Sequence, residues 1–319
     1  MPPRPRRRTL VAVSGAALVL RVDRKRVVLE LPDRRVVDAT LRGSFHRGRG
    51  RQTSPVAVGD RVDVEETAAG DVAICGRRER ASVLLRPEVV GRWRNQVLVA
   101  NADRAVLVFA HADPPPRSGL VDRLLVACHA GHVPPVLVFN KSDLPAAAET
   151  GGLIRLYEGL GYEVVRACAA SGVGVERLTA LLRGRCSVFA GPSGSGKSSL
   201  INACLPGVEL RTGEISRHTG KGRHTTTAAQ LVRIPDDDGH VIDTPGIKEF
   251  GLVQIEPREL ELNFPELPVP GRCRFLDCRH EREPGCAVRA AVAAGDVAAS
   301  RYQSYLDFRR EIEEAGARY

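Results

Sequence analysis

Short alternating runs of apolar and polar residues fill the first quarter of the chain. Turn residues such as Pro32 and Gly59 separate these runs, and none of them has a helical period. Several short strands of this kind are typical of a small barrel. We therefore predict an OB-type β-barrel over residues 9–80, preceded by a disordered basic tail at residues 1–8. The predicted strands are residues 11–22, 26–31, 35–41, 56–65 and 71–75.

From residue 97 the pattern changes to fully apolar strands that alternate with helical stretches. The runs at 106–109 and 136–139 are apolar on both faces, as a parallel sheet covered by helices requires. The alternation predicts an α/β domain over residues 81–255. Its predicted strands are 105–110, 136–140, 163–167, 186–190 and 240–243, and its predicted helices are 120–130, 153–160, 175–182 and 197–204.

A third module is predicted at residues 256–319, with a Cys/His cluster and a helix at 296–315. No apolar run reaches the roughly 20 residues that span a bilayer. The apolar residues 10–20 follow three arginines but lead straight into charged residues without a cleavage signature, so we do not interpret them as a signal peptide. The scattered single cysteines are typical of reduced core residues, and we expect a cytoplasmic protein without membrane contact.

The charge of the chain is concentrated at its start. The 319 residues carry a net charge of +9, and residues 1–80 hold 18 Lys and Arg against 10 Asp and Glu. Such a local excess favours a polyanionic partner, above all nucleic acid. A solvated surface in an arginine-rich proteome is the alternative.

A phosphate-binding loop lies between a predicted strand and a predicted helix. Residues 191–198 fit the pattern G-x-x-x-x-G-K-[ST], whose glycines let successive backbone N–H groups face one anion. We assign Lys197 to the β- and γ-phosphates and Ser198 to Mg²⁺, and a chance Gly-rich turn is the alternative. The assigned loop residues are Gly191, Pro192, Ser193, Gly194, Ser195, Gly196, Lys197, Ser198 and Ser199.

The base of the nucleotide is predicted to be guanine. Asn140, Lys141, Ser142 and Asp143 follow a predicted strand, at the edge where ligands bind in open α/β sheets. The Asp143 carboxylate can accept hydrogen bonds from guanine N1–H and N2–H₂, a pair that adenine lacks. Asn140 can face O6 and N7, and the Lys141 stem can lie along the ring. Taken alone, the tetrapeptide also fits a helix N-cap and turn.

Two further segments are assigned to the γ-phosphate and the magnesium ion. Asp243 ends a predicted strand and can hold Mg²⁺ through water, and the Gly246 N–H can meet the γ-phosphate. One hydroxyl of the threonine run 225–227 is expected to complete the Mg²⁺ shell, and the sequence does not decide which. Our candidates are Thr225 and Thr226 for the nucleotide and Thr226 for Mg²⁺. The start of a strand is the compatible alternative for that run.

Four potential metal ligands lie within fourteen residues of the third module. Cys273, Cys278, His280 and Cys286 supply three thiolates and one imidazole. This is a closed tetrahedral zinc set, so the site is predicted to be structural. A segment this short needs the ion to fold. Reduced cysteines without metal are the alternative.

The nucleotide motifs stand in a permuted order, because Asn140–Asp143 precedes the phosphate loop by about fifty residues. GTPases usually run phosphate loop, threonine, DxxG, NKxD. Together the segments NKSD, GPSGSGKSSL, GRHTTT and DTPG and the C-x4-C-x-H-x5-C cluster resemble the ribosome small-subunit-dependent GTPase A family, also called RsgA or YjeQ. The resemblance covers nearly the whole chain.

The resemblance implies a multidomain protein with an OB-type barrel, a circularly permuted P-loop GTPase domain and a C-terminal zinc module with helices. It implies binding and hydrolysis of GTP with Mg²⁺, stimulation by the small ribosomal subunit and action in its late maturation. The barrel and the zinc module would contact rRNA, and we expect a monomer. Our candidates for phosphate contacts are Arg42, Arg47, Arg49 and Arg51.

The chain departs from the family's usual pattern at two positions. Ser195 stands where valine is usual, and Cys168-Ala169 stands where GTPases usually have Ser-Ala, so the Ala169 N–H is expected to meet guanine O6. Many GTPases place a glutamine after DxxG, where this chain has Ile247. We therefore expect slow intrinsic turnover and hypothesise that His224 positions the attacking water, with packing or RNA binding as its other possible roles. An RNA-binding scaffold that only holds GDP or GTP and an ATP-using P-loop enzyme stay open as alternatives.

Overall fold

The structure is a computed structural model, and it describes residues 10–23, 26–42, 55–67, 70–88, 94–146, 149–207, 229–244, 251–252, 255–267 and 273–317. Its strands are β1 (Leu10–Ala12), β2 (Ala17–Val22), β3 (Val27–Glu30), β4 (Val36–Leu41), β5 (Arg61–Thr67), β6 (Val72–Arg77), β7 (Val83–Glu88), β8 (Arg94–Ala100), β9 (Arg104–Ala110), β10 (Pro135–Asn140), β11 (Glu163–Arg166), β12 (Cys186–Ala190), β13 (Gln230–Arg233) and β14 (His240–Asp243). Its α-helices are α1 (Ser118–Ala130), α2 (Thr150–Gly159), α3 (Val175–Leu182), α4 (Lys197–Cys204), α5 (Ala287–Ala294) and α6 (Ala299–Ala317).

Strands β2 to β6 form the predicted barrel, and β1 pairs with β5 beside it. Its order is β2-β3-β4-β6-β5, and β5 pairs again with β2, which closes the barrel. Only β4 and β6 run parallel, as in an OB-fold, and the other pairs are antiparallel. Alternate side chains point inward to a core that includes Val19, Leu29, Val62 and Ile74.

The predicted first strand is wrong in one respect, because residues 11–22 form two strands rather than one. The chain bends at Gly15, whose φ is +94° and whose position would bring a Cβ to 3.0 Å from the Pro32 ring. Both halves still pair with β5, β1 through Ala12 and β2 through Ala17. Glycine reaches this left-handed backbone without strain, so Gly15 lets the chain bend between β1 and β2.

The α/β domain is a doubly wound sheet of order β13-β14-β12-β9-β10-β11, parallel except for β13. Helices α1 and α2 cover one face, where Phe109 and Phe139 are buried, and α3 and α4 cover the other, where Val108 and Val138 are buried. The predicted strands and helices of this domain are confirmed. Strand β13 is an addition, and it also pairs with β2 and so joins the sheet to the barrel.

A hairpin of β7 and β8 and the helix α5 were not predicted. The hairpin packs beside α1, with the Val83 N–H donating to the Gly131 carbonyl at 2.9 Å. The predicted C-terminal helix is α6, and α5 precedes it with the Cys286 sulfur capping its first turn. Phe264, Tyr305 and Phe308 form the core of this module, which packs on Val126 of α1. No helix among the described residues is long and apolar enough to span a membrane.

Candidate nucleotide and metal sites

The phosphate loop connects β12 to α4 and is tightly packed at two of its glycines. Gly191 has a φ of +139°, and a Cβ there would overlap the Val108 carbonyl oxygen. Gly196 has a φ of +85°, and a Cβ there would overlap the Asn140 amide. These contacts leave room only for glycine, so the loop packs closely against the end of β9 and against Asn140.

Lys197 begins α4 and folds back over the loop. Its Nζ donates to the carbonyl oxygens of Gly191 and Pro192, at 2.9 Å each. Burial lowers the pKa of this ammonium, while the nearby Asp243 carboxylate raises it. Burial likewise raises the pKa of Asp243 above its usual 3.8, and Lys197 opposes that shift. A charged lysine and a carboxylate thus lie close together in a desolvated site beside the loop.

Asn140 ties the three segments of the predicted base pocket together. Its side-chain Nδ2 donates to the Ser195 carbonyl at 2.9 Å, and its Oδ1 accepts from the Ala169 N–H at 3.2 Å. The NKSD segment, the phosphate loop and the Cys168-Ala169 turn are therefore held in one frame. The sequence placed Asn140 and the Ala169 N–H against the base, and in the structure they bind each other.

The predicted guanine-selecting carboxylate of Asp143 is hydrogen-bonded by a neighbouring thiol. The buried Cys168 thiol donates to Asp143 Oδ1 at 3.1 Å and accepts from the Ser171 N–H at 3.4 Å. The Ser142 N–H is held by the Ala167 carbonyl at 3.1 Å. The carboxylate is therefore oriented from the Cys168 turn, which lies at the end of the neighbouring strand β11.

The sequence missed one wall of the pocket, the loop at residues 111–117 between β9 and α1. Lys141 has a φ of +61°, and its Nζ donates to the Asp113 carbonyl at 2.6 Å. Pro114 approaches the position of a Cβ on Gly194 to 3.4 Å. The signal was available, because the carboxyl end of β9 lies at the same edge of the sheet as the predicted site.

Several predicted site residues lie outside the described part of the chain. They are His224, Thr225, Thr226 and Gly246, together with the arginines Arg47, Arg49 and Arg51. The residue after Asp243 is described, and its Oγ1 donates to the Phe189 carbonyl at 2.6 Å, which fixes the start of the DTPG segment to β12. Arg42 is also described and donates to Glu65 Oε1 at 3.2 Å, so its charge is already paired.

The four predicted zinc ligands converge. The ligand atoms of Cys273, Cys278, His280 and Cys286 all lie within 4.8 Å of one another. His280 Nδ1 is 3.5 Å from the Cys273 sulfur and 3.4 Å from the Cys286 sulfur. A tetrahedral Zn²⁺ with usual bond lengths separates sulfur and nitrogen ligands by about 3.6 Å, so this donor set fits zinc.

Neighbouring groups orient these ligands. His280 Nε2 is hydrogen-bonded to Glu261 Oε2 at 2.7 Å, which leaves Nδ1 for the metal. The Ala287 N–H donates to the Cys273 sulfur at 3.2 Å. Glu261 lies in the Pro-punctuated stretch nineteen residues before the histidine, and no sequence pattern marks it.

Comparison with known proteins agrees with this architecture. The model of the family "RsgA GTPase" matches residues 77–253. A small ribosomal subunit biogenesis GTPase RsgA of Moorella thermoacetica is 43% identical over 279 residues, which are 87% of this chain and 91% of that protein. One from Bacteroides fragilis is 38% identical over 286 residues, covering 88% of this chain and 92% of that protein.

Solved structures match over nearly the whole chain. The crystal structure of YjeQ from Thermotoga maritima superimposes with a TM-score of 0.74 at 33% identity, covering 93% of this chain and 98% of that one. YloQ, described as a circularly permuted GTPase, has a TM-score of 0.68 at 24% identity and covers 98% of both chains. The second likeness shows the shared permuted fold.

Proposed function

We propose, from the premise that the chain belongs to the RsgA GTPase family, that it binds the small ribosomal subunit and hydrolyses GTP to act in late maturation of that subunit. The relatives named above are small ribosomal subunit biogenesis GTPases. Hydrolysis to GDP and phosphate would be stimulated by the subunit and its rRNA. The protein would act in the cytoplasm as a monomer.

The frame built on Asn140 carries the nucleotide part of this proposal. It joins the phosphate loop to the NKSD segment and the Cys168 turn through hydrogen bonds of 2.9 and 3.2 Å. A phosphate cradle and an acidic base-selecting side chain are thus fixed relative to each other at one edge of the sheet. This arrangement suits a guanine nucleotide, because its phosphates and its base can bind to the two features at the same time.

Each group has a proposed role in this site. The loop amides and Lys197 bind the phosphates, and Asp143 accepts from guanine N1–H and N2–H₂. Ser198, Thr226 and Asp243 would hold Mg²⁺, which would supply neutralisation of the charge on the phosphoryl oxygens. Gly246 would meet the γ-phosphate. The pocket therefore binds, orients and charge-stabilises the nucleotide, and it leaves activation of water to another group.

The deciding experiment is multiple-turnover GTP hydrolysis with and without purified small subunits, at stated salt. We expect subunits to accelerate phosphate release. Asp143→Asn should weaken GTP binding by about 100-fold and favour xanthosine triphosphate, because the amide mispairs with guanine. Asp236→Asn, in an exposed turn, is the matched control. Tight GTP binding without accelerated turnover would favour the alternative of an RNA-binding scaffold that only holds GDP or GTP. A base preference that Asp143→Asn leaves unchanged would favour the alternative of an ATP-using enzyme.

His224 is our candidate for positioning the attacking water. The supporting argument is its sequence position within the GRHTTT segment, since Ile247 cannot hydrogen-bond to water through its side chain. His224→Ala should lower subunit-stimulated kcat by about 100-fold while GTP affinity is kept. An unchanged kcat at unchanged affinity assigns the histidine to packing or to RNA.

The metal cluster is proposed to be structural. All four ligand positions are filled by Cys273, Cys278, His280 and Cys286, which leaves no open position for a substrate. Elemental analysis of the purified protein should give one zinc per chain. A site that also exchanges zinc during turnover would contradict a purely structural role.

A further inference from the structure

A cavity of about 580 Å³ separates one end of the barrel from the amino edge of the GTPase sheet. Gly59 and Arg61 line it from the barrel, and Cys186 and His240, the first residues of β12 and β14, line it from the sheet. The nucleotide motifs follow the carboxyl ends of the same two strands, so the proposed GTPase mechanism uses none of these side chains. The cavity belongs to the junction between the two domains.

The imidazole of His240 is poorly placed to carry a charge at this junction. Its ring is half-buried, and its Nε2 is buried without a hydrogen-bond partner among the described residues. Burial lowers the pKa of His240 below its usual 6.5, and Glu30 opposes that shift. Three positive charges lower the pKa further, those of Arg34, Arg61 and Arg233. A proton on this ring would therefore add an unpaired charge to a desolvated and already cationic site.

The carboxylates closest to these arginines are already engaged. Asp238 accepts from both Arg34 and Arg233, at 3.0 Å each. The Glu30 carboxylate lies 3.5 Å from the Arg34 guanidinium. Arg61 is exposed and has no ion pair with any described carboxylate. The arginines therefore compete with a protonated imidazole for the same acceptors.

The other titratable groups around the cavity and the ring do not balance an imidazolium. Asp103 Oδ2 accepts from the Cys186 N–H at 2.8 Å, and burial raises the pKa of the Cys186 thiol to about 12, so that thiol is neutral. Asp237 accepts from two backbone N–H groups. The charges of exposed side chains are screened by water. These exposed groups are Glu79, Asp103, His132 and Arg185.

The barrel is joined to the β13–β14 hairpin by weak polar contacts. In the described part of the chain, β2 and β13 share one register pair, Arg21 opposite Gln230. The Arg34–Asp238 ion pair that connects the barrel to the hairpin turn is exposed, and such pairs contribute little. We propose that His240 makes this junction acid-sensitive, so that protonation of its imidazole separates the barrel from the β13–β14 hairpin. Opening hydrates the ring and removes it from the arginines of the barrel.

Linkage gives the size of the expected effect. In the open junction the ring titrates at its ordinary pKa of about 6.5, so about nine tenths of the open molecules are protonated at pH 5.5. The closed junction disfavours the proton, so the equilibrium constant for opening should rise by about tenfold between pH 7.5 and pH 5.5. Hydrogen exchange of the N–H groups of β2 and β13, corrected for the intrinsic effect of pH, measures this opening. The N–H groups of the β7–β8 hairpin are the internal reference.

Two histidines that line the same cavity provide a matched pair of variants. His240→Gln cannot take a proton and should abolish the tenfold response, whereas His132→Gln, on an exposed ring, should keep it. Arg61→Gln removes one repelling charge and should reduce the response. An equal response in His240→Gln and in the unsubstituted protein overturns the inference, and so does loss of the response in His132→Gln.

A second measurement tests the inference if His240→Gln does not fold. The ring resonances of His240 in the unsubstituted protein should titrate below the ordinary histidine range, and Arg61→Gln should move that midpoint upward. A ring that titrates at the ordinary 6.5, or a midpoint that Arg61→Gln leaves unchanged, overturns the inference. Both measurements use the free protein, so their outcome does not depend on the proposed function.

Discussion

Asp243 and Lys197 are two half-buried charged groups, and each opposes the pKa shift that burial causes in the other. Burial raises the pKa of the Asp243 carboxyl and lowers that of the Lys197 ammonium. A raised carboxyl pKa favours the folded state at low pH, and this contribution is lost as pH rises through the folded-state pKa. The lowered lysine pKa acts in the opposite sense, since its contribution is lost as pH falls through the folded-state pKa. At neutral pH both charged forms therefore cost stability, and bound Mg²⁺ and phosphate offset that cost.

Magnesium-dependent nucleotide binding should consequently weaken in mild acid. In the proposed site the ionised Asp243 carboxyl would hold Mg²⁺, and the raised pKa of this carboxyl would let protons compete at a higher pH than for an ordinary aspartate. Calorimetry of GDP binding with and without Mg²⁺, from about pH 7 to about pH 5, should show the Mg²⁺ increment shrinking. Asp243→Asn should remove most of the increment and its pH dependence. An increment that stays constant with pH contradicts the assignment.

We propose that Cys168 positions Asp143, the carboxylate predicted to select the base. Its thiol donates to Asp143 at 3.1 Å, so Cys168→Val removes the donor at similar volume. We expect GDP affinity to fall by about fivefold to tenfold, less than the value of an ordinary hydrogen bond to a charged group, because a thiol is a weak donor. Cys168→Ser should keep wild-type affinity, and Cys128→Val, on a thiol buried in α1, is the control. Equal affinity of the valine and serine variants would show that the contact does not orient Asp143.

At the scale of single residues, the sequence predicted which side chains form the sites better than it predicted the hydrogen bonds between them. The motif residues of the phosphate loop and the four metal ligands converge as expected, because their spacing along the chain encodes local geometry. The Asn140–Ala169 bond, the Asp113 carbonyl and Glu261 were not predicted. Each depends on segments far apart in sequence, where no spacing rule applies.

Helix α1 connects the GTPase sheet to the zinc module through a buried charged network. Asp122 and Arg301 are fully buried and 2.6 Å apart, and Arg301 also binds Glu266. The Tyr157 hydroxyl donates to Asp122 Oδ1 at 2.7 Å, and Ser304 donates to Oδ2. Helices α1, α2 and α6 thus share one carboxylate, which fixes the zinc module against the sheet.

Removal of the Arg301 guanidinium should destabilise the interface between the zinc module and helix α1. Arg301→Met leaves two buried carboxylates without their cation, and such a break costs about 3–5 kcal/mol. Urea denaturation followed by a probe in the zinc module should show an earlier transition. Arg310→Met, on an exposed side chain of the same helix, should shift it little. A transition unchanged by Arg301→Met would mean that apolar packing alone holds the module.

Periodicity predicted the elements with a strong, uniform pattern. The sheet strands β9, β10 and β12 are apolar on both faces and could be placed to within a residue or two. β13 has only four residues, and its sequence QLVR is half polar. Helix α5 consists mostly of small residues, and its first turn is capped by the sulfur of the metal ligand Cys286. Hydrophobic periodicity does not indicate such a cap. The domain boundaries at 80 and 255 stay predictions.

On the scale of the whole molecule, the positive charge of the first 80 residues is divided sharply. Nine of the 18 basic residues lie in segments that hold no acidic residue, namely 1–9, 24–25 and 43–54. The other nine basic residues and all 10 acidic residues lie in the rest of the first 80 positions. The described barrel pairs many of its arginines internally, as in Arg26–Asp38, Arg35–Glu66 and Arg78–Asp63. The excess of positive charge therefore lies, by sequence, in the first nine residues and in segments 24–25 and 43–54, whereas several arginines of the described barrel are paired.

Salt dependence of subunit binding separates these two sources of charge. Deleting residues 2–8 removes four arginines, and each phosphate contact contributes about 0.7–0.9 to the slope of log K against log salt, so the slope should fall by about three. Arg35→Gln and Arg78→Gln should change it much less, because those guanidinium groups already bind Glu66 and Asp63. The reverse result, a large slope change from the paired arginines and none from the tail, would place the RNA on the barrel wall. The tail then would serve no electrostatic role, and the charge excess of the first 80 residues would not report the binding surface.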